Sequence, residues 1–472
     1  MPLRRVVRVL VMASFVTPPF LGAIAWELLA APNSGLLNQL YRASTGAGPD
    51  VSLFNIYTLS GVIFVISCYT FPYVFVLVAN ALDRIPGDLE DASSMLGAGA
   101  FRTARRVTIP LALPAVAAGA LVAFLQAMTL FGSPAILALP AGFHTLTTKI
   151  WSLFQYPPKP EVAAAASLPL LVLTIGLLRA QAAVLGRRGY TVVGGKSGAP
   201  RPVRLGPLRW PAFALCLAML CLSVFLPYGA LFNAAFSRIP SQPLTLDGFT
   251  LEHVRFVFLE LSATKLAMKN TLYLGLAAAT CGTLLALVVS WLTSRTVPGH
   301  RVLGFLATAP IAIPGIALGV GLFLAYTRGP VVLYGTLWIL LLAYVTIELP
   351  AAYQQLQASF RALSPELEEA SRILGASRLE TLRRVTAPLL GPSLIATWCF
   401  VFVAVVRELS AAVILFTSEN KVLSVLIFDL NESGDLAAIA ILGLTMLVLT
   451  ALIILAANRI PGFSGRVRFR DN

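Results

Sequence analysis

Two stretches of this sequence place acids, small residues, a glycine and a closing proline at one spacing. In the first, Glu90-Asp91-Ala92-Ser93 is followed by Gly97 and by Val107-Thr108-Ile109-Pro110; in the second, Glu368-Glu369-Ala370-Ser371 is followed by Gly375 and by Val385-Thr386-Ala387-Pro388. Aligning residues 86–114 with 364–392 at a constant offset of 278 gives 15 identities in 29 positions, polar and apolar alike. A shared compositional bias does not produce that agreement, so the element is a duplication.

The spacing has a physical logic. Leu89 to Leu96 and Leu367 to Leu374 are good helix formers, with acids toward the N-terminal end, where the helix dipole favours them. Gly97 and Gly375 permit a sharp break after so short a helix. Arg102, Arg105 and Arg106, and Arg378, Arg383 and Arg384, come next, and Pro110 and Pro388 are expected to begin the following helix. The product is a short helix whose small residues can enter a partner's groove. That chemistry is recognition. An enzyme would need paired Asp, clustered His or a catalytic Ser on facing elements, and none is apparent.

Other residues carry less. Gly194-Gly195-Lys196-Ser197 has Tyr190 where a phosphate-binding loop needs glycine, and neither strand nor helix is predicted to flank it, so no nucleotide site is expected in this chain. All five cysteines (Cys68, Cys216, Cys221, Cys281, Cys399) lie in apolar runs, and His144, His253 and His300 are scattered; neither a disulfide nor a metal site is expected. Arg407 and Glu408 are adjacent within an apolar run. Ionisable groups at membrane depth face a bundle interior or an aqueous cavity, which makes this pair candidates for a pathway or for a packing role.

The elements that position these residues follow from composition. Of 472 residues 57% are hydrophobic and 12% charged, and the mean hydropathy is +0.82. Ten runs are long enough to cross a bilayer, near 6–29, 55–80, 110–133, 161–179, 211–233, 268–292, 302–325, 332–351, 389–416 and 436–458. The formal charge of +14 could suggest nucleic acid, but with the N-terminus inside, 25 of the 35 Lys and Arg fall in loops on one side. The surplus is therefore topological: both termini and both duplicated loops are expected to be cytoplasmic. Clusters such as Arg187-Arg188, or Arg466, Arg468 and Arg470, read as anchors to anionic lipid. Six runs separate the two copies, which makes this a parallel repeat. The expected organisation is a first repeat at 1–186 with four helices, a linker at 187–209, and a second repeat at 210–472 with six. Either the first repeat has lost two helices or this sequence begins late, and the second reading is favoured.

With these residues in place, the chain resembles the permeases of binding-protein-dependent ABC importers, whose loop reads Glu-Ala-Ala, three residues, Gly, nine residues, Ile-x-Leu-Pro. Phe131-Gly132-Ser133-Pro134, Leu146-Thr147-Thr148-Lys149-Ile150, Arg407-Glu408-Leu409-Ser410 and the linker Gly189–Lys196 look like the fused two-repeat permeases of ferric-iron uptake; thiamine and aminoethylphosphonate permeases share much of the pattern. Ser at the third motif position is a minor departure. The resemblance implies an all-α, type I importer fold in a bacterial inner membrane and two coupling helices, each docking on a separate ATPase that binds ATP and Mg. It also implies an extracytoplasmic binding protein that selects substrate. Glu90, Asp91, Glu368 and Glu369 are then expected to face the ATPase. The alternative is an ion-coupled secondary transporter, which needs no duplicated docking loop.

Overall fold

The computed structural model describes residues 3–83, 85–186, 208–295, 298–364 and 366–459. Among these, every regular element is helical. Seven helices are long and apolar enough to cross a membrane: Leu59–Leu82, Ala100–Thr129, Pro160–Ala183, Arg209–Phe236, Ser262–Ser294, Leu337–Ala362 and Leu436–Ala457. Three further runs qualify only as bent pairs: Val6–Val16 with Pro19–Ala30 (99°), His300–Ala312 with Gly315–Thr327 (107°) and Arg378–Leu389 with Gly391–Val406 (76°). All ten coincide with the apolar runs of the sequence. Hydropathy does not reveal the bends, whose cause is proline. Thr17 (ψ 125°) and Ile313 (ψ 112°) each precede a proline and are extended, because the proline ring crowds the preceding residue out of the helical region. The third bend falls at Leu390, between Pro388 and Pro392.

Two compact units form, one from Met1–Ser152 with Ala165–Gly248, the other from Leu153–Ala164 with Phe249–Asn472. In the first, Leu59–Leu82 packs on Ile109–Thr129; the backbones meet at Gly119, where a β-carbon would lie 3.0 Å from Val74 Cα. Pro19–Ala30, buried on nearly every side, packs on Gly132–Leu137 and Leu226–Phe236, and Ser133 Oγ donates to its Pro19 carbonyl at 2.7 Å. Helix Arg209–Phe236 thus follows the linker in sequence yet packs with the first unit, so packing and repeat divide the chain differently. The linker's residues 187–207, with Arg187, Arg188 and the Gly194–Ser197 segment, lie outside the described residues, as do Arg466, Arg468 and Arg470.

The second unit is built round Ser262–Ser294, which packs on Leu337–Ala362 and Gly391–Val406. Its buried face runs through Thr271, Gly275, Ala278, Gly282, Ala286 and Ser290, a stripe of small residues at helical spacing that lets neighbouring backbones approach. A β-carbon at Gly275 would meet the Phe402 ring at 2.8 Å. Asn270 and Thr271 both bond to neighbouring backbone: Asn270 Nδ2 donates to the carbonyls of Glu419 and Lys421 at 3.2 and 3.0 Å, and Thr271 Oγ1 accepts from the Leu423 N–H at 2.8 Å.

Candidate functional site

The duplicated stretches fold into two copies of one device. A short helix spans Gly87–Met95 in the first copy and Glu366–Ile373 in the second, each opening on acids (Asp88 and Glu90; Glu366, Glu368 and Glu369) that suit the positive end of its dipole. Each stops at the motif glycine, with φ +79° at Gly97 and +90° at Gly375. The closing bonds match. Gly97 N–H donates to Ser94 O (2.9 Å) and Ala98 N–H to Ser93 O (3.1 Å); Gly375 N–H donates to Arg372 O (3.0 Å) and Ala376 N–H to Ser371 O (3.2 Å). These satisfy last-turn carbonyls that the helix leaves open.

The chain then turns into Ala100–Thr103 or Arg378–Thr381, each followed by a π-turn, Ala104–Thr108 or Leu382–Thr386. Pro110 and Pro388 fall in the first turn of the next α-helix, Ile109–Thr129 or Ala387–Leu389, as the spacing suggested, but the backbone is already helical before them. Helical backbone starts some ten residues earlier. The prolines offer no N–H to the preceding turn, and the wider π-turn takes up that misfit.

Side chains fasten the short helix to this second segment. Ser93 and Thr103 share a hydrogen bond of 2.9 Å, and Ser371 and Thr381 one of 3.1 Å. Thr108 Oγ1 donates to Glu90 Oε1 at 2.7 Å, and Thr386 Oγ1 to Glu368 Oε1 at 2.7 Å. Glu368 also meets Arg295 Nη2 at 2.5 Å. The expectation that both acids of each pair look outward is thus corrected: Asp91 and Glu369 are exposed, with Ala92 and Ala370, while Glu90 and Glu368 turn inward and are half-buried.

Residues that motif reasoning passed over dominate the outer face. Met95, Leu96 and Phe101 are 87%, 89% and 79% exposed, and their counterparts Ile373, Leu374 and Leu379 are 85%, 89% and 70% exposed. Large apolar side chains this open, twice over at one offset, form patches fit for burial by a partner. The available signal was that each pair stays apolar across the duplication although only the leucine pair is identical.

Arg407 and Glu408 do not sit within a continuous span. They occupy the turn between Gly391–Val406 and Ala412–Leu415. Glu408 Oε1 accepts from the Ala411 N–H (2.9 Å) and Oε2 from the Ala412 N–H (3.2 Å), while Ser424 Oγ donates to the Glu408 carbonyl at 2.7 Å. Its carboxylate caps a helix start. Among the described residues no group of three His, Cys, Asp or Glu is placed to hold a metal ion.

The family model for binding-protein-dependent transport system inner membrane components matches residues 2–190 and 270–464. A ferric transport system permease protein of Actinobacillus pleuropneumoniae is 28% identical over 95% of this chain and 64% of its own length. A putative ferric transport system permease protein of Haemophilus influenzae is 27% identical over 86% of this chain and 64% of its own. A putative 2-aminoethylphosphonate transport system permease protein of Salmonella paratyphi A is 29% identical over 50% and 88%. The chain thus spans 64% of the length of the two ferric relatives.

Proposed function

The chain belongs to the family of binding-protein-dependent transport system inner membrane components, and from that premise we propose that it is the multi-pass permease of an ATP-driven importer. One observation carries this reading: the docking element occurs twice with the same internal bonds and the same outward apolar patch. Two such surfaces suit two copies of one partner. That partner is a cytoplasmic ABC ATPase, which binds ATP and Mg, hydrolyses the nucleotide and draws on both docking helices to switch the permease between outward and inward access. Both termini are cytoplasmic on the balance of Lys and Arg.

Ferric iron is the leading substrate, because relatives named for ferric transport align with nearly the whole chain and the phosphonate relative with half. Thiamine, phosphonates and polyamines follow. Selection rests on an extracytoplasmic binding protein. An ion-coupled secondary transporter is the weaker reading, since it leaves the duplicated patches without a purpose.

The test is co-purification from a co-expressing strain. The chain should retain a cytoplasmic ABC ATPase, and should lose it when both exposed leucines, Leu96 and Leu374, become Ser; a chain that retains none refutes the reading. The accompanying binding protein, titrated with ferric iron, thiamine, 2-aminoethylphosphonate and a polyamine, identifies the substrate.

A further inference from the structure

We propose that the acid just before each acidic-Ala-Ser motif, Glu90 or Glu368, is a positioning residue that locks the docking helix to the membrane helix after it, leaving partner contact to the exposed remainder of the docking helix. The inference rests on the permease reading above and says how force would cross the loop.

The same bond is made in both copies, by a threonine 18 residues further on, at the same 2.7 Å. Each donor hydroxyl, on Thr108 or Thr386, ends the π-turn, where the loop becomes membrane helix. With the Ser93–Thr103 or Ser371–Thr381 bond it makes a two-point attachment, and two points resist rotation where one does not. Such an attachment stiffens a corner that otherwise rests on a glycine and two backbone hydrogen bonds. Gly97 and Gly375 are in the left-handed region, and a β-carbon there would meet nothing within 4 Å among the described residues. Untied, a docking helix pulled by its partner would swing about that corner, and the membrane helix would stay behind.

In the second copy the carboxylate joins a third element. Arg295 follows the C-terminal end of Ser262–Ser294, the central helix of its unit, and its side chain and that of Glu368 are only 28% and 14% exposed. Glu368 is therefore the junction of docking helix, following helix and central helix. A carboxylate so engaged has little left to offer a partner's base.

The experiment uses the whole chain with its ATPase and binding protein in proteoliposomes. The double variant Thr108→Val with Thr386→Val removes the donors and keeps the branching at Cβ. Three quantities are read: ATPase retained on purification, ATP hydrolysed, and substrate taken up per ATP. Retention should stay within about twofold of wild type while uptake per ATP falls about tenfold, on the scale of a hydrogen bond to a charged group. Thr108→Ser with Thr386→Ser, which restores both donors, should recover coupling. Should the valine variant fail to assemble, Arg295→Met, which cuts only the third link, should lower uptake per ATP without shedding the ATPase. Valine or methionine variants coupling as wild type, or valine shedding the ATPase as Glu369→Lys does, would overturn the inference. A wild-type chain that retains no ATPase overturns the permease reading itself, before any variant is made.

Discussion

A carboxylate recognises a partner only from an exposed position, and the two acids of each motif differ in this. Asp91 and Glu369 stand beside Ala92 and Ala370 on the open face, while Glu90 and Glu368 are engaged by Thr108 and Thr386. Reversing the open charge, Glu369→Lys, should weaken ATPase retention and Glu369→Gln should do so partially, as quantitative pull-down would measure; unchanged retention with Glu369→Lys would leave docking to the apolar face alone. The larger effect belongs to that face. Burying one leucine side chain contributes about 1.5–3 kcal/mol, so Leu96→Ser with Leu374→Ser should weaken retention well over tenfold while the chain stays in the membrane, because neither side chain packs within it. The motif's acids, glycines and prolines were legible as a repeated pattern. The bonds joining positions 18 apart were not, because they depend on how the loop folds back, which neither spacing nor periodicity encodes.

At the scale of the element, the docking helix depends on its terminating glycine through backbone conformation. A β-carbon at Gly375 would meet nothing within 4 Å among the described residues, so the glycine does not serve to make room. The left-handed conformation itself costs an ordinary residue about 1–2 kcal/mol. Gly375→Asn should therefore retain more transport than Gly375→Val, since Asn tolerates that region and a β-branched residue does not; equal loss with both would place the requirement on the absent side chain. Glu408 is a second element-scale case. Its charge within an apolar run fits a pathway or a packing role, and its carboxylate caps Ala412–Leu415. Glu408→Ala should lower the thermal midpoint in detergent by the loss of a cap, about 0.5–2 kcal/mol, and Glu408→Gln by less. Full transport loss with an unchanged midpoint would return Glu408 to the pathway.

Across the whole molecule, ten apolar runs were legible because membrane helices need about 20 apolar residues and few charges. The bends at Thr17–Pro18, at Ile313–Pro314 and around Leu390 were not, since hydropathy averages over the prolines that cause them. Nor was the packing of Arg209–Phe236 with the first unit, which depends on long-range contacts. The bends matter to topology. If the pair His300–Ala312 and Gly315–Thr327 crosses the membrane, six crossings separate the docking helices and both face one side; if it re-enters, they face opposite sides. Single cysteines at Ser94 and Arg372 should be labelled from the same side by an impermeant maleimide, and labelling from opposite sides would contradict the crossing.

The proposed function needs that shared side for its pair of ATPase subunits, and transport itself tests it most directly. The chain, reconstituted in vesicles with its ABC ATPase and loaded binding protein, should accumulate substrate when ATP is supplied on the side of the docking helices. Accumulation should cease with a non-hydrolysable analogue and with Leu96→Ser plus Leu374→Ser. Uptake by the chain alone, driven by an ion gradient and indifferent to ATP, would contradict it.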